Sequence, residues 1–251
     1  MRLPLAAALL LLGLTPPAPA AQAAAPSPAI AHALAQSNRP QANRDADAIR
    51  APAETLAFAG VKPGMTVIEM FPGGGYYTRL LSDLVGPKGQ VIGVENAAWK
   101  GEVKAGQAML AGGGLANVKL EALPFGQLPA PAPPADLVWI TQNYHDLKIA
   151  EYGAVDTAAF NARVFQMLKP GGVYLVVDHQ ANGAPTPDQI AKLHRIDKAT
   201  VVREVEAAGF KLAAEGQFLH RPADDHTLPV DDKTIRGNTD QYALRFVKPK
   251  R

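Results

Sequence analysis

The chain has 251 residues, with 25 Lys and Arg against 23 Asp and Glu, a formal net charge of +2 and no cysteine. That length buries a sizeable core as one large domain or one domain with a small appendage. The charges are scattered rather than gathered into a basic stripe, which argues against a nucleic-acid partner, and the lack of cysteine excludes a disulfide framework, a thiol nucleophile and a cysteine-linked lipid.

The amino terminus, "MRLPLAAALLLLGLTPPAPAAQAAA", sets Arg2 before an apolar run from Leu3 to Leu14 and then small residues. This is the pattern of a general secretory signal peptide over residues 1–23, with cleavage expected after Ala20 or Ala23. The apolar run falls short of the roughly 20 residues that span a bilayer, and no twin arginine precedes it. A periplasmic or secreted protein without a stable membrane span is expected. Because that route moves unfolded chains, any cofactor would be acquired outside.

Residues 24–50 read as a Pro- and Ala-rich linker and a helical arm, followed by an α/β domain over 51–251. In the arm, Arg44, Asp45, Asp47 and Arg50 are close enough to pair. The plainer reading is a surface helix with solvated charges; the other is an arm that closes over a pocket.

Beyond the arm, "GMTVIEM" is a short β-branched run that suits a buried strand. Apolar positions Tyr77, Leu80, Leu81, Leu84 and Val85 then trace one helical stripe, stopped by Gly86 and Pro87. "QVIGVE", "NVKLEAL", "DLVWIT" and "VYLVVDH" supply further strands, with helices over "WKGEVKAGQAMLAGG", "FNARVFQMLKPGG" and "DKATVVREVEAAGF". Gly171 is placed to cap the second of these helices. "KLAAEGQF" and "DQYALRFVK" close the chain as two strands joined by a long polar loop. Strand and helix alternate, so the expected fold is α/β with a mainly parallel sheet and an antiparallel edge.

The loop "EMFPGGGYYT" follows the first strand, where open α/β sheets place their ligands. Its glycines allow a sharp turn and close backbone approach. It lacks the lysine of a phosphate-binding P-loop and the third glycine of a dinucleotide fingerprint. What remains is an acid, Glu69, with glycines four and six residues later, and a second acid, Glu95, ending the next strand.

Glu69-x-x-x-Gly73-x-Gly75, Glu95, "LKPGG" and "TDQYALRF" together resemble class I S-adenosylmethionine-dependent methyltransferases, and "PGMTVIEMFPGGGYYT", "YHD" and "HRID" are similar to the exported members of that group. The resemblance covers roughly residues 39–249. It implies a Rossmann-like doubly wound seven-stranded sheet whose last strand is antiparallel. It also implies S-adenosylmethionine as cofactor, with Glu69, Phe71, Gly73, Gly74 and Gly75 at its methionine end, Glu95 on the ribose hydroxyls, and Glu121 and Ala122 near the adenine. The sequence departs from the common pattern at Phe71, where a glycine is usual; its ring is expected either to narrow the site or to pack beneath it.

Methyl transfer requires alignment of nucleophile, methyl carbon and sulfur, sometimes with removal of a proton. After the fourth strand stand Asn143, Tyr144, His145 and Asp146. His145 is a candidate general base, Asp146 its orienting partner, and Asn143 and Tyr144 candidates for holding an acceptor; the alternative is that all four are ordinary loop and capping residues. Tyr76, Asp178, His179, His194 and Arg195 are further candidates for substrate contact, although Arg195 fits equally a salt-bridge network with Asp197 or the acidic amino-terminal segment. The histidines and carboxylates show no metal-ligand spacing, so no metal is expected, and no G-x-S-x-G supports a serine hydrolase.

The expected function is methyl transfer to a small-molecule acceptor. The runner-up is a non-catalytic periplasmic protein that binds a nucleoside or metabolite on the same fold, and a third reading is transfer of another group from a related nucleoside donor.

Overall fold

The computed structural model describes residues 26–130, 134–153 and 155–250. The expected signal peptide lies outside them. Among the described residues no helix is long and apolar enough to cross a membrane.

Seven strands form one sheet: β1 (Thr66–Met70), β2 (Gln90–Asn96), β3 (Val118–Leu123), β4 (Ala135–Thr141), β5 (Leu168–His179), β6 (Lys211–Gly216) and β7 (Gln241–Val247). Their order is β3-β2-β1-β4-β5-β7-β6. The neighbours from β3 to β5 are parallel, and only β7 runs against both of its neighbours. This is the doubly wound sheet with an antiparallel last strand that the sequence led us to expect. Strand order reverses between β1 and β4, so the crevice for a ligand opens at their carboxyl ends.

Alternation along each strand divides the core into two layers. One face carries Ile68, Met70, Ile92, Val94, Val138, Ile140, Tyr174, Val176, Leu244 and Phe246. Against it pack α7 (Thr157–Met167) and α9 (Lys198–Ala207), through Phe160, Val164, Val201 and Val205. The other face carries Val67, Val91, Leu137, Trp139, Leu175 and Val177. It is covered by α5 (Tyr76–Val85), α6 (Lys100–Ala111) and the amino-terminal helices. The α5 stripe is buried as its spacing predicts, and the helix starts from Gly75 at φ 80° and stops at Gly86 at φ 64°. These are left-handed conformations that a side chain resists.

One local expectation needs correction, and one helix adds to those read from the sequence. Gly171 does not cap α7: that helix passes into β5 at Leu168, and Gly171, at φ 81°, makes a corner inside the strand where its N–H reaches the Lys248 carbonyl. The strand and helix patterns of the sequence assign no element just before "HRID", yet Pro187–Leu193 forms α8. Its signal was present as a capping box, in which Thr186 accepts from the Gln189 N–H while the Gln189 side chain accepts from the Thr186 N–H, with Pro187 at the first helical position.

The arm comprises α1 (Pro28–Ala35), α2 (Gln41–Asp45) and α3 (Asp47–Arg50), and α4 (Pro52–Ala59) follows it. Ile30 and Ala33 of α1 join the core layer around α5. Its charges pair differently from expectation. Asp47 binds Arg39 through two hydrogen bonds of 2.5 and 2.9 Å, whereas Asp45 accepts from Gln41 and Arg44 donates to the Gln36 carbonyl.

Candidate functional site

A cavity of about 960 Å³ opens at the carboxyl ends of β1, β2, β4 and β5, and the arm forms part of its wall. Glu69 and Glu95 stand at the ends of β1 and β2, both almost fully buried, and both face it. Burial pushes the Glu69 carboxyl up to about 7, against the opposing effect of the Thr78 hydroxyl, which donates a 2.7 Å hydrogen bond to it. Burial likewise raises Glu95, opposed by the N–H groups of Asn96 and Gly73 that bind its two oxygens at 2.9 and 3.1 Å. A carboxylate has about four acceptor positions. Two are filled here, which leaves a pair for the vicinal hydroxyls of a ribose.

The glycine loop explains its own composition. Gly73 lies at φ 51°, and a Cβ there would meet a Glu102 carboxylate oxygen at 2.9 Å. Phe71 takes φ 56°, a left-handed conformation costly for a bulky residue. Its ring is held by Trp99 and Phe125, with centroids at 5.3 and 5.6 Å, and Trp99 in turn meets Tyr152 at 5.3 Å. Phe71 therefore adopts the backbone shape a glycine would, while its side chain joins an aromatic wall of the cavity. Of the five non-glycine residues at positive φ among those described, Phe71, Gln142 and His194 all line this one cavity. Backbone strain concentrates at functional sites, where the surrounding structure compels it.

The arm reaches the same space. Asn43, Ala46 and Arg50 line the cavity, so the arm is not a solvated surface helix. The Tyr76 hydroxyl donates to Asp47 at 2.6 Å, and the Arg50 guanidinium lies 4.8 Å from the centre of the Tyr76 ring. Tyr76 thereby joins the glycine loop to the arm, and Arg50 brings a positive charge to a wall that also holds Glu69.

At the other end, His145 is buried with a carboxylate on each ring nitrogen: Asp178 at 2.7 Å from Nδ1 and Asp146 at 3.2 Å from Nε2. Burial by itself lowers its pKa, but Asp178 and Asp146 outweigh burial and hold the ring up at about 10. Both ring nitrogens are thus engaged by carboxylates, so Nε2 can take a proton from an acceptor only if its contact with Asp146 is given up. His194 Nδ1 lies 3.3 Å from His145 Nε2 and 3.6 Å from Asp146. Asn143 donates to the outer oxygen of Asp146 at 2.8 Å. Contrary to the reading from spacing, His145, Asp146 and His194 thus bring three metal-competent donors together.

Other expected site residues stand apart. Tyr144 is fully buried, donates to Glu204 and accepts from Asn161, so it is fixed in the core. Asp178 does not face the cavity; it orients His145, accepting from both that ring and its backbone N–H. His179 does line the cavity, and burial pushes its pKa well down, so its ring is neutral. Arg195 is fully buried and pairs with Asp224 at 2.9 Å, while Asp197 instead caps α9. Glu121 is half-buried and Ala122 exposed on the edge strand β3, and neither lines the cavity. Sequence reasoning gave no site role to Trp99 or Tyr152, whose signal was only their aromatic character beside a strand end or loop.

A doubly wound sheet ordered in this way, with a glycine turn and two buried acids at its switch point, defines a class I S-adenosylmethionine-dependent methyltransferase. Residues 61–220 match the model of a family described as "Methyltransferase domain", and the chain belongs to that family. It is 26% identical over 193 residues to the ubiquinone/menaquinone biosynthesis C-methyltransferase UbiE of Shewanella woodyi, across 73% of this chain and 67% of that one. The corresponding UbiE of Shewanella sp. strain W3-18-1 is 29% identical over 201 residues, across 76% and 67%. Among solved structures, a SAM-dependent methyltransferase from Aquifex aeolicus shares the fold at a TM-score of 0.59 and 18% identity, across 84% of this chain and 98% of that one.

S-adenosylmethionine is the cofactor of this class, and the residues fit it. The two unfilled acceptor positions of Glu95 suit the ribose diol, Gly73 and Gly74 line the cavity whereas Gly75 does not and packs toward Met109 instead, and the cavity is within the range of small-molecule sites.

Proposed function

We propose that the chain transfers a methyl group to a small-molecule acceptor that enters beside the His145, Asp146 and His194 cluster. The observation that carries this reading is the layout of the cavity, with the buried acid pair Glu69 and Glu95 along the glycine loop and the polar cluster in the same walls. S-adenosylmethionine, when bound, supplies the electrophilic methyl. Glu95 holds the ribose, Glu69 and Arg50 present opposite charges to the methionine end, and Phe71 with Trp99 provides an apolar face. Closure by the arm excludes water from the transfer. The signal-like amino terminus supports export, so the reaction is proposed to take place outside the cytoplasm; fractionation of cells expressing the full chain tests that location.

Calorimetric titration with S-adenosylmethionine and S-adenosylhomocysteine tests the cofactor site. Saturable binding of both is expected. Glu95→Ala removes charge-assisted hydrogen bonds, each worth roughly 1.5–3 kcal/mol, and so weakens binding at least tenfold. Binding unchanged by this substitution overturns the ribose assignment.

A further inference from the structure

We propose that His145 Nε2, Asp146 Oδ1 and His194 Nδ1 form the protein's half of a divalent transition-metal site on the cavity wall. The three atoms are separated by 3.2, 3.3 and 3.6 Å. Three nitrogen and oxygen ligands, each about 2.1 Å from a common ion, stand roughly 3.0 Å apart at octahedral angles and 3.4 Å at tetrahedral ones. The three separations, from 3.2 to 3.6 Å, bracket the tetrahedral value and all lie above the octahedral one.

The groups behind the donors are arranged as a metal site requires. Asp178 Oδ1 lies 2.7 Å from His145 Nδ1, and its Oδ2 accepts the His145 backbone N–H at 2.8 Å, so the ring is fixed with Nε2 toward the cluster. A carboxylate behind a histidine ligand sets its tautomer and raises its donor strength. Asn143 occupies Asp146 Oδ2, which leaves Oδ1 as the atom facing both rings. His194 is carried at φ 52°, in a left-handed conformation at the end of α8. That strain places its ring over His145, with centroids 5.4 Å apart and planes 83° apart.

His145 and Asp146 are buried, but the His194 side chain is 31% exposed and all three line the cavity, so an ion can enter from that side. Three protein ligands on one side leave the remaining positions toward the cavity, the arrangement of catalytic rather than structural sites. Two imidazoles and one carboxylate suit zinc or iron(II) more than magnesium or calcium. In the methyl-transfer reading, on which this role rests, an oxygen or nitrogen of the acceptor takes an open position and is held for attack. Binding of the ion itself does not depend on that reading.

The test titrates the full chain, dialysed against chelator, with zinc chloride by calorimetry and with cobalt(II) by visible absorption, both without S-adenosylmethionine. One equivalent of saturable zinc binding and a visible cobalt(II) band are expected. His194→Ala, at a partly exposed position, is expected to lose the cobalt band and weaken zinc at least 100-fold, with His194→Gln as a second variant of similar bulk. Asp178→Asn is expected to weaken zinc 10- to 100-fold. His226→Ala, which alters the separate histidine at Asp240, is expected to leave binding unchanged. Absence of saturable binding, or binding unaffected by both His194 substitutions, overturns the site. Loss of S-adenosylmethionine binding with zinc binding intact counts only against the methyltransferase reading.

Discussion

Glu69→Gln isolates the energetic consequence of burying the first of the two acids. In the folded protein, burial pushes its carboxyl up to about 7, from an ordinary 4.5. The native state therefore holds an extra proton between those values, and stability is fully present below pH 4.5 and lost as pH rises through 7. At about 1.4 kcal/mol per pH unit, the gap corresponds to about 3 kcal/mol, of which roughly 2–3 kcal/mol falls between pH 5 and pH 8. Glutamine keeps the shape and can still accept the Thr78 hydroxyl, but it does not ionise. Urea unfolding of both proteins at pH 5 and pH 8, without S-adenosylmethionine, gives the difference directly. The variant is expected to match the wild type within about 1 kcal/mol at pH 5 and to exceed it by roughly 2–3 kcal/mol at pH 8. Parallel pH profiles would refute the reasoning and place Glu69 in a hydrated or charge-compensated environment.

Two further substitutions test the arm and a buried pair. Asp47→Ala strips Arg39, whose side chain is only 1% exposed, of its ion-pair partner and releases the Tyr76 hydroxyl. About 3 kcal/mol of local stability is expected to be lost, read as faster hydrogen exchange across residues 28–50 and weaker S-adenosylmethionine binding, with the sheet unchanged. Exchange equal to wild type would detach the arm from the site. Arg195→Ala leaves the Asp224 carboxylate buried without its guanidinium, so the whole domain is expected to lose roughly 3–5 kcal/mol in urea unfolding. A loss below about 1 kcal/mol would show that the N–H groups of Asp240 and His226 suffice for Asp224.

The sheet was legible because its information is local. Short β-branched runs ending at glycine or proline, followed by stripes such as Tyr77, Leu80, Leu81, Leu84 and Val85, fix element type, and their alternation fixes the class of sheet. Glu69, Glu95 and the glycines were legible for the same reason: strand ends at a switch point face the crevice whatever the rest of the chain does. The errors follow the opposite rule. Arg195 and Asp224 are 29 residues apart and Arg39 and Asp47 are eight apart, and each pair forms only after packing has removed water from around both members. Glu121 lies on the edge strand β3, where a position at the strand end does not ensure contact with the cavity.

The histidine cluster shows why spacing is a poor guide to this site. His145 and His194 are 49 residues apart, one in the turn after β4 and the other at the end of α8. Neither segment carries a ligand pattern, and the strand that separates them supplies Asp178 to fix one ring. The signal lay in single residues whose backbones are strained, Gln142 before the turn and His194 itself, and strain of that kind is visible only once the dihedral angles are known. Removing the strain at His194 should therefore separate position from chemistry: His194→Gly keeps the left-handed conformation without the ring, whereas the wild-type residue holds its backbone against a cost of roughly 1–2 kcal/mol. The His194 ring offsets part of that cost through its contacts with His145 and Asp146, and the ion proposed between the three would add to that compensation.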